Sequence, residues 1–87
     1  MTKFQEKVYK VVSKVPRGQT MTYKEVAVAI GNHRAYRAVG NALNKNPYLG
    51  KVACHRVIRS DGKTGGYVLG EEKKLELLKK EIGFKPM

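Results

Sequence analysis

Apolar residues recur at helical spacing from the start of the chain. Phe4, Val8, Val11, Val12 and Val15 form one stripe, and Lys7, Lys10 and Lys14 lie off it. This pattern predicts an amphipathic helix over residues 3–15, docked on a core and stopped by Pro16, Arg17 and Gly18. Thr22-Tyr23-Lys24-Glu25 then has the form of a capping box. It predicts a short helix over residues 23–30, ended by Gly31-Asn32. A second helix follows at about residues 33–44, closed by Asn46-Pro47. Two short helices joined by a tight glycine turn make a helix-turn-helix candidate. The second carries Arg34 and Arg37 beside Ala35, Ala38 and Gly40. Small residues there allow close approach to a protein core or to a nucleic-acid groove, and composition leaves both open.

Residues 51–58 predict an extended segment, and residues 60–66 a turn-rich loop. The last helix is expected over residues 71–82, burying Leu75, Leu78 and Ile82 and ending before Gly83. With no internal repeat, linker or low-complexity tract, residues 1–87 are expected to form one domain. The fold class is α+β and mostly helical, with at most a short strand or hairpin around the cysteine segment.

Composition adds a charge argument. The 87 residues carry 18 basic and 7 acidic side chains, a net charge of +11. So basic a domain concentrates polyanions around itself, and nucleic acid is the commonest partner; lysine-rich helices also serve plain solubility. The longest apolar run, residues 26–30, is too short to cross a membrane, and the N-terminus lacks the apolar stretch of a secretory signal. A soluble, cytoplasmic, DNA-associated protein with no membrane partner is expected.

Cys54 is the single cysteine, which excludes an internal disulfide and a multi-thiolate zinc site. With two histidines in the chain, no metal and no cofactor are expected. A lone intracellular cysteine is usually a small buried hydrophobe. The alternative is a nucleophile, which needs a base or a cationic group beside it. His55 and Arg56 follow directly. In an extended segment, however, neighbouring side chains point to opposite faces, so a relay from Cys54 to His55 would need a bend or a bridging water.

Val52-Ala53-Cys54-His55-Arg56-Val57-Ile58 resembles the active-site signature of the O6-alkylguanine-DNA alkyltransferases, the methylated-DNA–protein-cysteine methyltransferase family. Arg37 through Pro47 resembles that family's recognition helix and the Asn-containing turn after it, and Thr22-Tyr23 the start of its first DNA-binding helix. Gly65-Gly66-Tyr67 resembles the glycine loop beside the pocket, and Glu81 falls where the family has a buried glutamate. The matches keep the family's order and spacing over nearly the whole chain, and correspond to its C-terminal DNA-binding and active-site domain.

The resemblance implies a small winged-helix-like, helix-turn-helix domain acting on double-stranded DNA that contains O6-alkylguanine. Cys54 would take the alkyl group onto its sulfur irreversibly, so each molecule would act once. His55, through a water, would serve as base, oriented by Glu81. Tyr23 would donate its hydroxyl to a guanine ring nitrogen. Arg37 would fill the gap left by the flipped nucleotide. Ala35, Ala38 and Gly40, with Arg34, would lie on the minor groove. Asn46 would tie the turn to the cysteine segment, and Gly65, Gly66 and Tyr67 would line the alkyl pocket. A monomer is expected.

Three departures stand out. Ala53 replaces the proline that stiffens the turn before the cysteine. Val68 replaces the hydroxyl residue of many members, removing one hydrogen bond to the guanine oxygen. The N-terminal α/β domain of typical members is not part of these residues. The alternative within the superfamily is an alkyltransferase-like lesion sensor, which binds O6-alkylguanine without transfer and recruits other repair proteins. Such proteins replace the cysteine, commonly by tryptophan, whereas this chain has Cys54 and no tryptophan. A helix-turn-helix transcription regulator is the third reading; it would need a dimer to read paired half-sites.

Overall fold

The computed structural model describes residues 2–47, 52–65 and 69–83. Helix α1 (Lys3–Val12) opens on a reciprocal cap: Thr2 accepts from the Gln5 backbone N–H, and the Gln5 side chain accepts from that of Thr2. It stops short of Val15. Pro16 disfavours helical geometry at the residue before it, so the chain leaves the helix at Ser13, yet Val15 still turns inward.

Strand β1 (Met21–Thr22) runs straight into helix α2 (Tyr23–Ala29), whose cap is the predicted box of Thr22 and Glu25. Helix α3 (Tyr36–Asn44) begins later than the expected residue 33. Gly31, at φ +83°, closes α2. Asn32 N–H then bonds back to the Ala27 carbonyl and Ala35 N–H to that of Asn32. These turn bonds use up the residues in between, so Arg34 lies in the turn and Ala35 is the N-cap of α3.

The cysteine segment corrects the extended expectation. Residues Cys54–Arg56 form a 3-10 turn, closed by Arg56 N–H on the Ala53 carbonyl at 2.9 Å. Strand β2 (Val57–Ile58) begins only after it and pairs in parallel with β1, Met21 opposite Val57 and Thr22 opposite Ile58. The sheet is therefore a parallel pair of distant segments, with no hairpin among the described residues. Ala53 sits at φ −79°, within the range that proline would impose, so the backbone there adopts a proline-like φ without the ring.

Helix α4 (Glu71–Ile82) ends at Gly83 in the left-handed conformation, φ +66°. Its buried face differs from the expected one. Leu78 is buried and Leu75 half-buried, but Ile82 is 37% exposed while Lys74 is fully buried. The inward stripe runs through residues 74, 78 and 81 because α4 packs on the 3-10 turn, whose polar groups reach Glu81.

Helices α1, α2 and α3 pack pairwise around a core centred on Val8, Val12, Val26, Val39 and Val57. Tyr9, absent from the predicted stripe, is also buried, and its hydroxyl donates to the Ala42 carbonyl at 2.6 Å. No helix of the described residues is long and apolar enough to cross a membrane.

Tyr9→Phe removes that bridge between α1 and α3 while keeping the ring. The expected loss is about 1 kcal/mol of stability, read as a lower urea midpoint at unchanged slope.

Candidate functional site

The 3-10 turn, α4 and the start of α2 bring several of the candidate site side chains together. Cys54 is only 3% exposed. Asn46, also buried, donates through Nδ2 to the Val52 carbonyl at 3.2 Å and approaches Cys54 Sγ at 3.5 Å. One side chain thus ties the turn after α3 to the cysteine segment.

Two residues on from Cys54, the chain meets α4. Arg56 grips Glu81 in a two-pronged pair, Nε to Oε1 at 2.8 Å and Nη2 to Oε2 at 3.0 Å. Its Nη1 also donates to the Val15 carbonyl at 3.0 Å. His55 Nε2 lies 2.9 Å from Glu81 Oε2. The Arg56 hydrogen bonds, aided by His55 and opposed by burial, hold the Glu81 carboxyl down at about 2. Glu81 is therefore ionised at neutral pH and can only accept. The hydrogen between them sits on His55 Nε2, and in the neutral ring Nδ1 is the basic nitrogen. In the sequence Arg56 was a candidate cation beside the thiol; the structure pairs it with Glu81.

Tyr23 and Lys74 form a second polar group, both within the electrostatic reach of Cys54. Lys74 Nζ donates to the Tyr23 hydroxyl at 3.1 Å and lies 5.3 Å from the centre of its ring. Burial pushes the Tyr23 phenol up to about 12, with negative charge at Cys54 adding and Arg59 opposing. Burial pulls Lys74 down to about 8, against the attraction of Cys54 and Glu71. No sequence signal was drawn from Lys74, although it stands one helical turn before Leu78 on the buried face.

An open cleft of about 410 Å³ leads to Tyr23. One face of α3, Arg37, Gly40, Asn41 and Asn44, forms one wall, at the spacing that aligns residues on a helix. Gly65 and Arg59 are also part of the lining. Gly65 has φ +76°, and a Cβ there would fall 2.7 Å from the Tyr23 hydroxyl and 2.9 Å from its ring. Only glycine fits that wall. Gly40 is less constrained, with the Tyr23 ring 3.8 Å from its would-be Cβ.

The candidate DNA-contacting residues divide. Arg37 and Gly40 line the cleft; Arg34, Ala35 and Ala38 are not among its lining residues. Arg34 is exposed in the turn before α3, Ala35 is half-buried, and Ala38 faces a smaller hollow with Phe4 and Gln5 of α1. Asn41, Asn44, Tyr36 and Arg59 join the wall without having been singled out. Gly66, Tyr67 and Val68 lie outside the described residues. Among the described residues, no group of three or more His, Cys, Asp or Glu is placed to hold a metal.

Residues 3–83 match the profile of the 6-O-methylguanine DNA methyltransferase family, DNA binding domain. The methylated-DNA–protein-cysteine methyltransferase of Methanosarcina barkeri is 55% identical over 80 residues, which is 92% of this chain and 51% of that protein. The chain thus spans about half the length of the curated relatives it matches first. Among solved structures, Mycobacterium tuberculosis OGT in complex with DNA superposes with a TM-score of 0.91 at 43% identity, over 99% of this chain and 52% of that one. Schizosaccharomyces pombe Atl1, in complex with damaged DNA containing O6-carboxymethylguanine, gives 0.83 at 34% identity, over 93% of this chain and 77% of that one.

The Glu81 contacts carry a pH dependence. Because folding depresses its pKa, their contribution is fully present above the ordinary carboxylate value of 4.5 and is lost as pH falls toward about 2. Urea midpoints should decline across that window, and Glu81→Gln should flatten the decline.

Proposed function

The chain belongs to the 6-O-methylguanine DNA methyltransferase family, and on that premise we propose that it removes alkyl groups from O6-alkylguanine in duplex DNA by transferring them irreversibly to Cys54. The observation that carries this reading is the Glu81 carboxylate fixed by Arg56 and bonded to His55, directly after a buried thiol. That arrangement is an oriented base next to a nucleophile. Glu81 holds the proton on His55 Nε2, so Nδ1 would draw the thiol proton through a water. The resulting thiolate attacks the alkyl carbon in line with guanine O6.

The same unit would bind the DNA. Arg37, Asn41 and Asn44 on α3 would lie in the minor groove, whose sparse base information suits an agent that must find lesions anywhere. The target base would be flipped into the cleft beside Tyr23, with Arg37 filling the vacated stack. Tyr23 would donate its proton to the guanine ring nitrogen as the base departs. A phenol held near 12 stays protonated until then. Gly65 leaves room for the base against the Tyr23 hydroxyl. The thioether has no second nucleophile to cleave it, so transfer is stoichiometric.

Lesion binding without transfer is the second reading. It is favoured by the fit to Atl1, of which this chain covers 77%. The retained, buried Cys54 beside an oriented histidine argues for transfer.

Intact-protein mass after mixing with a duplex containing one O6-methylguanine decides between them. Transfer adds one methylene, mapped by peptide to Cys54; unchanged mass with tight lesion binding identifies the sensor. Cys54→Ala should keep lesion binding and lose the mass gain. Arg37→Ala should slow reaction with duplex by roughly tenfold or more, the scale of a lost contribution to the unstacking cost, and leave reaction with free O6-methylguanine base nearly unchanged. Equal losses on both substrates would exclude the stack-filling role.

A further inference from the structure

The cleft beside Tyr23 carries two arginines, and the reading above uses only Arg37. The other, Arg59, stands directly after β2 and lines the same opening. Its backbone N–H donates to the Lys63 carbonyl at 2.9 Å, and the Gly62 N–H donates to the Arg59 carbonyl at 3.2 Å. Gly62 takes φ +88° to close that turn. Asp61, within it, has both oxygens engaged. Oδ1 accepts from the Lys63 N–H at 3.0 Å, and Oδ2 meets Arg59 Nη2 at 2.9 Å. The guanidinium is therefore held at one nitrogen by a carboxylate that the backbone has itself fixed.

Stability does not account for this pair. Arg59 and Asp61 are each about half exposed, and ion pairs so open to water contribute little. What the pair achieves is placement. The Arg59 stem runs past Gly65, its Cγ 3.2 Å from where a Cβ on that glycine would stand. Its charge is felt at the Tyr23 hydroxyl, where it opposes the rise caused by burial. The residues that line the cleft include no carboxylate, so an anion entering it meets two cations and no opposing charge on the walls.

We propose that Arg59 is an anion-binding group of the cleft, taking a phosphodiester that flanks the flipped nucleotide. The inference rests on the flipped-base reading above and adds what holds the backbone of that nucleotide. A methylated guanine carries no charge, so the anions its nucleotide brings are the phosphodiesters on either side. The base leaves the stack by rotation about its backbone, which draws those phosphates toward the cleft. Arginine suits them, because its planar fork donates parallel bonds to two oxygens of one phosphate. Asp61 keeps the fork extended before DNA arrives, so less side-chain freedom is lost on binding. Arg37 and Arg59 then have separate tasks. One fills the stack, and the other holds the strand at the point where the base left it.

The test is equilibrium binding across salt concentrations, with Cys54→Ala as the parent so that no transfer consumes the lesion. Three duplexes serve as probes: one with a single O6-methylguanine, the same with neutral methylphosphonates on both sides of that nucleotide, and the unmodified duplex. Arg59→Gln should bind the methylated duplex roughly tenfold more weakly. The slope of log affinity against log salt should fall by about 1. On the methylphosphonate duplex the same substitution should change nothing, because the anion it served is gone. Arg59→Lys should keep the salt slope and lose part of the affinity, since it retains the charge without the fork. Undiminished affinity in Arg59→Gln overturns the proposal. A loss of equal size on the methylphosphonate or the unmodified duplex does so too, since it marks general surface charge. A parent that binds methylated and unmodified duplexes equally would remove the flipped-base reading and this inference together. Selective binding of the lesion that ignores Arg59 would remove only the inference.

Discussion

The Glu81 carboxylate ties the last helix to the cysteine turn. Glu81 accepts both prongs of the Arg56 guanidinium and a bond from His55, while Arg56 reaches across to the Val15 carbonyl beyond α1. Since α4 packs chiefly on the 3-10 turn, this cluster is both a polar attachment of the helix and the feature that holds the histidine. Charge-assisted, two-pronged bonds of this kind are among the stronger polar contacts available to a chain. Stability and chemistry therefore draw on the same few atoms. The helix that supplies Glu81 to His55 near its end also supplies Lys74 to Tyr23 from its first half, so docking α4 installs both partners in one step.

Much of this was legible in the sequence. The capping box at Thr22, the stop at Gly31 and the stripe through Val8 and Val12 are local signals, and local physics resolved them. The sites that depended on long-range packing were not. Residues 51–58 read as extended because their composition suits a strand, but the segment is bent by Asn46 and by Arg56 reaching for Glu81. The inward face of α4 was placed on Leu75, Leu78 and Ile82 because hydrophobicity is the usual guide to burial, and Leu78 is indeed buried. Here the guide failed at a polar site, where Lys74 and Glu81 turn inward toward partners that lie far away in sequence. The face of α3 formed by residues 37, 40, 41 and 44 was within reach, since its spacing is regular. The sequence reading reached Arg37 and Gly40 of that face, but attention to small residues added Ala35 and Ala38, which do not line the cleft, and passed over Asn41 and Asn44.

The division of labour along the chain is correspondingly clear. The three-helix core carries the apolar burial, and α3 presents a polar face to the cleft from the outside of that core. Gly65 keeps the opposite wall thin enough for the Tyr23 hydroxyl to reach into the opening. Because a single Cβ would close that distance, access to the phenol depends on the absence of a side chain as much as on any group that is present.

Thr22 belongs to two elements at once: it pairs with Ile58 as the end of β1 and caps the helix that starts with Tyr23. On the partner strand, Val57 follows directly on the turn that begins with Cys54. Two rungs of parallel ladder therefore lie between phenol and thiol along the backbone. Their separation is settled when the chain folds, and the ordering entropy of bringing them together is spent before any substrate arrives. The relative placement of the two groups is thus a property of the fold itself, set by the register of the ladder.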